Sequence, residues 1–131
     1  MQTVESIRLL LTIALFVIGL SHLFQGKVWA SFFEYLSSKR YIGVFINAFI
    51  HFAPGSLVVS FHPVYQGPFL WLTLLGWAWV IKGAVYFVFP AVGLKQMQKG
   101  TQKQRGTWAA AGIIMIAAAV ILQSMRFFVT H

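Results

Sequence analysis

The sequence predicts an all-α fold: a polytopic membrane protein built as a four-helix transmembrane bundle. Three observations predict it. The 131-residue chain is 59% hydrophobic. Only 9% of its residues are charged, against roughly 25% in soluble domains. The apolar residues collect in four stretches, 7–24, 41–61, 69–89 and 107–128, each near the ~20 residues that a bilayer span needs. Four spans use up most of the length, so a single transmembrane domain is expected, with no soluble catalytic domain beside it.

The first span, 7–24, reads as a retained helix rather than a cleaved signal peptide. Its apolar run is long for a signal sequence, Arg8 is offset by Glu5, and no small-x-small cleavage pattern follows closely. Gln25, Gly26 and Lys27 end it. Residues 28–40 then set Trp29, Phe32, Phe33, Tyr35 and Leu36 beside Glu34, Lys39 and Arg40. That mixture suits a short amphipathic helix lying at the membrane interface. An aromatic-rich loop at headgroup level is the alternative.

The second span, 41–61, contains Pro54-Gly55 in its outer half, where a lost backbone hydrogen bond should kink it. Residues 62–68, HPVYQGP, read as a tight turn without Lys or Arg. The third span, 69–89, is stopped by Pro90. Residues 91–105 read as a polar loop carrying Lys95, Lys99, Lys103 and Arg105. The fourth span, 107–128, has alanine runs at 109–111 and 117–119 that permit close helix contact.

Ten Lys/Arg against two acids give a net charge of +8. The surplus lies mostly in the connections after spans one and three, while the connection after span two has no Lys or Arg. Cationic loops stay in the cytoplasm, so both termini and His62 are expected outside. Arg8 and Arg126, near the outer ends, pull weakly the other way. This reading assigns the basic charge to topology, and no nucleic-acid partner is expected. Cysteine is absent, which removes disulfides, thiolate metal sites and thiol catalysis. The five tryptophans, Trp29, Trp71, Trp77, Trp79 and Trp108, read mostly as lipid-facing or interfacial belt residues.

A parallel repeat of two span pairs is suggested by an offset of 64 residues, at which Gly19 meets Gly83, Lys39 meets Lys103 and Ser60 meets Ser124. Each half is also span, basic connection, span. Repeats of this kind occur in transporters. The pattern Gly19-Leu20, Leu23-Phe24, Lys27-x-Trp29 and Arg40-x-x-Gly43 resembles small uncharacterised bacterial inner-membrane proteins with two spans. The resemblance covers about a quarter of the chain. It implies the inner membrane of a bacterium and brings no activity or functional residue with it.

Chemistry is confined to a few polar residues inside apolar stretches: His22, Asn47, His51, Lys82 and Tyr86. At ~1.5 Å per residue, His22 lies about 5 Å from the inner end of its span, Asn47 about 9 Å, His51 about 15 Å, Lys82 about 10 Å and Tyr86 about 5 Å. His22, Asn47, Lys82 and Tyr86 therefore fall in one slab of the inner leaflet, and Asn47 and His51 share a helix face. Each has a plainer reading. His22 can bond at the interface, Asn47 can join two helices, and Lys82 can snorkel to a lipid phosphate. His51, near mid-membrane, needs an internal partner.

Lys, two His and an Asn amide are mostly donors, so an anion suits the set better than a cation. Haem ligation by His22 and His51 is disfavoured by a depth difference of about 10 Å. A metal would want carboxylates or thiolates, and both acids are expected outside the spans. Neither a metal nor a cofactor is therefore expected. Ser21 and His22 are adjacent and do not face one another, no phosphate-binding glycine loop appears, and no catalytic constellation is visible.

The expected function is that of an accessory or assembly subunit whose inner-leaflet polar layer binds a lipid headgroup or another anion. The alternative is a small homo-oligomeric transporter or channel, proton-coupled through His51, with Lys82 attracting an anionic substrate. The partners expected are the lipid bilayer, including anionic lipid, and either further copies of this chain or a larger membrane complex.

Overall fold

The computed structural model describes residues 2–100 and 105–130. Lys103, which entered both the charge count and the repeat, lies outside the described residues. These fold into α1 (Gln2–Phe24), α2 (Gly26–Ser38), α3 (Tyr41–Phe61), α4 (Leu70–Val88), α5 (Pro90–Gly100) and α6 (Arg105–Thr130), with no strand among them. Among the described residues α1, α3, α4 and α6 are long and apolar enough to cross a membrane. The fold class is the one expected: all-helical, with four apolar helices that match the four stretches.

Two boundaries carry information. Helix α1 begins at Gln2, which brings Glu5 into its first turn, where a carboxylate complements the helix dipole. Helix α3 runs through Pro54 without a break in its helical assignment.

The connections hold more structure than expected. Residues 28–40 do form a helix, α2. Residues 91–105 are not a loop throughout, because α5 occupies 90–100. Pro90 ends α4 and starts α5, since proline's fixed φ and missing N–H suit the first helical position. Gly93, Leu94 and Met97 give α5 a buried face, while Lys95 and Lys99 stay exposed. Two apolar side chains one turn apart are enough to hold a short helix that the charge content disguised as loop.

The chain forms two compact units, Met1–Ala30 with Lys103–His131, and Ser31–Gln102. In the first, α1 packs antiparallel on α6. Gly19 and Gly112 face one another at the contact, where a Cβ on Gly112 would come within 2.5 Å of the Gly19 carbonyl oxygen. At the far end Glu5 pairs with both Arg8 and Arg126, the latter at 3.3 Å. The two arginines that pull against the expected orientation thus share one carboxylate.

In the second unit α3 packs antiparallel on α4, and α5 lies against both. Gly55 meets the backbone of Gly76 and Val80, and Gly83 meets Ala48 and Phe52. A core of Leu36, Val44, Ala48, Tyr86, Leu94 and Met97 joins α2, α3, α4 and α5. The units thus cut across the two sequence halves suggested as a repeat: first helix with last, and the two central spans together.

In the turn between α3 and α4, His62 is wholly buried. Its Nδ1–H donates to Thr73 Oγ1 at 3.0 Å, and that hydroxyl lies 2.8 Å from the carbonyls of both His62 and Val64. A carbonyl only accepts, so the hydroxyl hydrogen points to the backbone and leaves its oxygen to accept from the ring.

Candidate functional site

Four of the five candidate residues lie in the second unit. Asn47 and His51 sit one turn apart on α3, and Lys82 and Tyr86 one turn apart on α4. Tight packing at Gly83, whose Cβ would come within 2.9 Å of the Ala48 carbonyl oxygen, sets the two helices close enough for side chains to meet.

The centre of the site is His51 against Lys82. His51 Nδ1 lies 2.9 Å from the Asn47 carbonyl oxygen, and Lys82 Nζ lies 3.2 Å from His51 Nε2. The carbonyl can only accept, so Nδ1 carries a hydrogen. The neutral ring then offers its Nε2 lone pair, and the ammonium donates to it. One proton lies between Nε2 and Nζ, so the pair holds one positive charge rather than two. Like charges at this distance in a low dielectric would repel strongly, and the tautomer avoids that.

Tyr86 also lies close to the ammonium. Lys82 Nζ lies 5.6 Å from the centre of its ring, within cation–π range. The Tyr86 hydroxyl donates to Gln96 Oε1 at 2.9 Å. Gln96 belongs to α5 and was missed from the sequence because that segment read as loop. Asn47 is 3% exposed, and its Oδ1 has no hydrogen-bond partner among the described residues. Such an atom is costly, about 1–3 kcal/mol, and it lies one turn from His51.

Depth estimated from sequence placed Lys82 about 5 Å below His51. The long lysine side chain closes that gap. Because helical side chains lean toward their own N-terminus, Lys82 leans away from the nearer, C-terminal end of α4 and toward the level of His51. The snorkelling reading needs the opposite direction.

His22 belongs to the first unit, and its described neighbours are there. Its Nδ1–H donates to the Ile18 carbonyl at 2.9 Å. Its ring stacks on Trp29 at 4.1 Å and tilts against Trp108 at 5.7 Å. Ser21 Oγ accepts from Trp29 Nε1 at 2.9 Å. Trp29 and Trp108, expected near the interfaces, both contact the His22 ring. The signal available was their spacing near the ends of spans one and four.

Among the described residues no group of three or more His, Cys, Asp or Glu could hold a metal ion.

No family model, curated protein or solved structure matches this chain. Function must therefore be argued from the site itself.

The pair is testable directly. In His51→Leu the ammonium loses its acceptor and should extend toward the near end of α4. A hydrogen bond to a charged group is worth about 1.5–3 kcal/mol, which corresponds to a roughly tenfold or greater rise in Lys82 labelling by a water-soluble amine reagent, read by peptide mass spectrometry. Equal labelling of both proteins would mean that His51 does not hold Lys82.

Proposed function

We propose that this chain is a multi-pass protein of the bacterial inner membrane that acts as an assembly or accessory subunit, binding an anionic group of a neighbouring membrane molecule at Lys82. The observation that carries the proposal is the Lys82 ammonium. It is held by His51 Nε2 at 3.2 Å on an exposed flank of the α3–α4 pair. A cation near the centre of a span costs about 2.5–3.5 kcal/mol, and a docked anion offsets that cost. The basic connections favour both termini outside, and the resemblance of the first half to two-span proteins favours the inner membrane of a bacterium.

The rest of the chain suits such a role. Two helix pairs and two short amphipathic helices provide extended apolar faces. Native mass spectrometry after gentle extraction from the protein's own membrane is expected to show a complex with a different membrane protein. A bare monomer under conditions that preserve known complexes would count against the accessory role.

A second reading rests on two specific features, the 3.2 Å contact between His51 Nε2 and Lys82 Nζ and the buried Asn47 Oδ1 one turn away. Intramembrane titratable pairs serve as proton relays, so a small proton-coupled transporter working as a homo-oligomer fits them. The same spectrum separates the two: a homo-oligomer carrying a defined small molecule supports transport.

A further inference from the structure

We infer that the anion docked at Lys82 is a carboxylate carried on a partner's transmembrane helix, an Asp or Glu near the middle of its span, rather than a lipid phosphate. The inference deepens the accessory-subunit reading and rests on it.

The argument is one of depth. Helix α3 has 21 residues, about 30 Å at ~1.5 Å per residue, the thickness of a bilayer's hydrocarbon core. His51 is its middle residue, so its backbone lies about 15 Å from either end. Lys82 Nζ is 3.2 Å from His51 Nε2, whose ring leans back onto the Asn47 carbonyl, so the ammonium lies between the levels of the two backbones, inside the span. The backbone of Lys82 is only about 9 Å from the C-terminal end of α4, so its ammonium could approach headgroups there by extending that way. It points inward instead. In that inward position it is turned away from a phosphate at headgroup level, whereas a carboxylate on a neighbouring helix meets it inside the span.

The surrounding face suits a helix. On α4, Leu74, Trp77 and Ile81 are 56%, 41% and 59% exposed, and Ala78 is exposed one turn before Lys82. These residues recur at helical spacing, so they form one apolar stripe with Lys82 on it. Ala78 allows a second backbone to come close beside the ammonium. Charge complementarity favours a partner that brings the acid, since this chain has ten Lys/Arg and two acids. One acid, Glu5, already pairs with two arginines in the other unit, and Glu34 lies on α2. A neutral His51, a cationic Lys82 and a carboxylate together carry no net charge, which a low-dielectric setting favours.

The test uses the full-length protein in phosphatidylcholine vesicles and synthetic leucine-rich helical peptides of about 20 apolar residues. The peptides carry Glu, Gln or Leu at the centre, or Glu near one end, and association is read by energy transfer between dyes. The centre-Glu peptide is expected to bind at least about tenfold more tightly than the centre-Leu peptide, or ~1.4 kcal/mol. The centre-Gln and end-Glu peptides should fall well below it. Lys82→Met should abolish the preference and Lys82→Arg should retain it, with both variants checked for wild-type elution in size exclusion.

Equal binding of centre-Glu and centre-Leu peptides, or a preference that survives Lys82→Met, overturns the inference. So does Lys82-dependent suppression by phosphatidylglycerol, which would assign the site to lipid phosphate. Displacement of the peptide by a small free carboxylate would assign it to a soluble substrate. The two readings fail separately. A hetero-complex in native mass spectrometry without peptide discrimination sinks only the carboxylate, whereas peptide discrimination with a bare monomer sinks only the accessory role.

Discussion

Gly43→Ala should open the corner between α2 and α3 and lower the melting temperature more than any other added methyl considered. A Cβ at position 43 would sit 1.7 Å from the Leu36 carbonyl oxygen and 2.5 Å from its carbon. Both are backbone atoms, so no rotamer relieves the clash. The corner has little slack, because Lys39 and Arg40 alone separate the helices and Arg40 already takes φ 53°, a region that costs non-glycine residues energy. Opening it withdraws Leu36, 1% exposed, from the core that also contains Tyr86. Overpacking costs about 1–3 kcal/mol and removal of a buried leucine about 2–5 kcal/mol. A fall of about 10 °C or more is expected in a thermal unfolding assay. Gly100→Ala and Gly106→Ala serve as internal controls, since among the described residues nothing lies within 4 Å of a Cβ at either position. Similar shifts in all three variants would rule out the clash as the cause.

Gly112→Ala should separate α1 from α6. The new Cβ would meet the Gly19 carbonyl oxygen at 2.5 Å and the Leu23 amide nitrogen at 2.7 Å, again backbone atoms. In membranes such close contacts rest on van der Waals packing rather than on a hydrophobic gain, so forcing the helices apart loses much of what joins them. The expected destabilisation is about 1–3 kcal/mol. Trp108 lies one turn before Gly112 on α6, and the separation should draw it away from His22, now 5.7 Å off. The readout is tryptophan emission in a background with Trp71, Trp77 and Trp79 replaced by phenylalanine. An unchanged spectrum together with an unchanged melting temperature would mean that the glycine contact does not hold the pair.

The spans were legible because apolar length is a local property, read directly along the chain. Helix α2 was legible for a related reason, since aromatic and charged residues alternate with helical spacing through Phe32, Phe33 and Leu36. Helix α5 was hidden because its buried face needs only Gly93, Leu94 and Met97, and the surrounding Lys and Gln residues dominate the composition. Helix pairing was not legible. It depends on which glycines meet, as Gly19 meets Gly112. Depth counting brought His51 and Lys82 near one another, but it could not set rotation about the helix axes. It placed His22 at a similar depth, and His22 has its described neighbours within its own unit. The burial of His62 was not legible, although Thr73, a hydroxyl early in an apolar span, marked its partner.

The pairing of α1 with α6 has a consequence for biosynthesis. The two helices lie at opposite ends of the polypeptide order, so α1 enters the bilayer while its packing partner is still untranslated. All of α2 to α5 must emerge first, which takes several seconds at ~5–20 residues per second. During that interval the Gly19 groove faces lipid or an insertion chaperone, while α3 and α4, joined by the His62–Thr73 turn, can close as a hairpin at once. Ribosome stalling before α6 would therefore leave a finished central pair beside an orphaned first helix, the species that a membrane quality-control protease would meet.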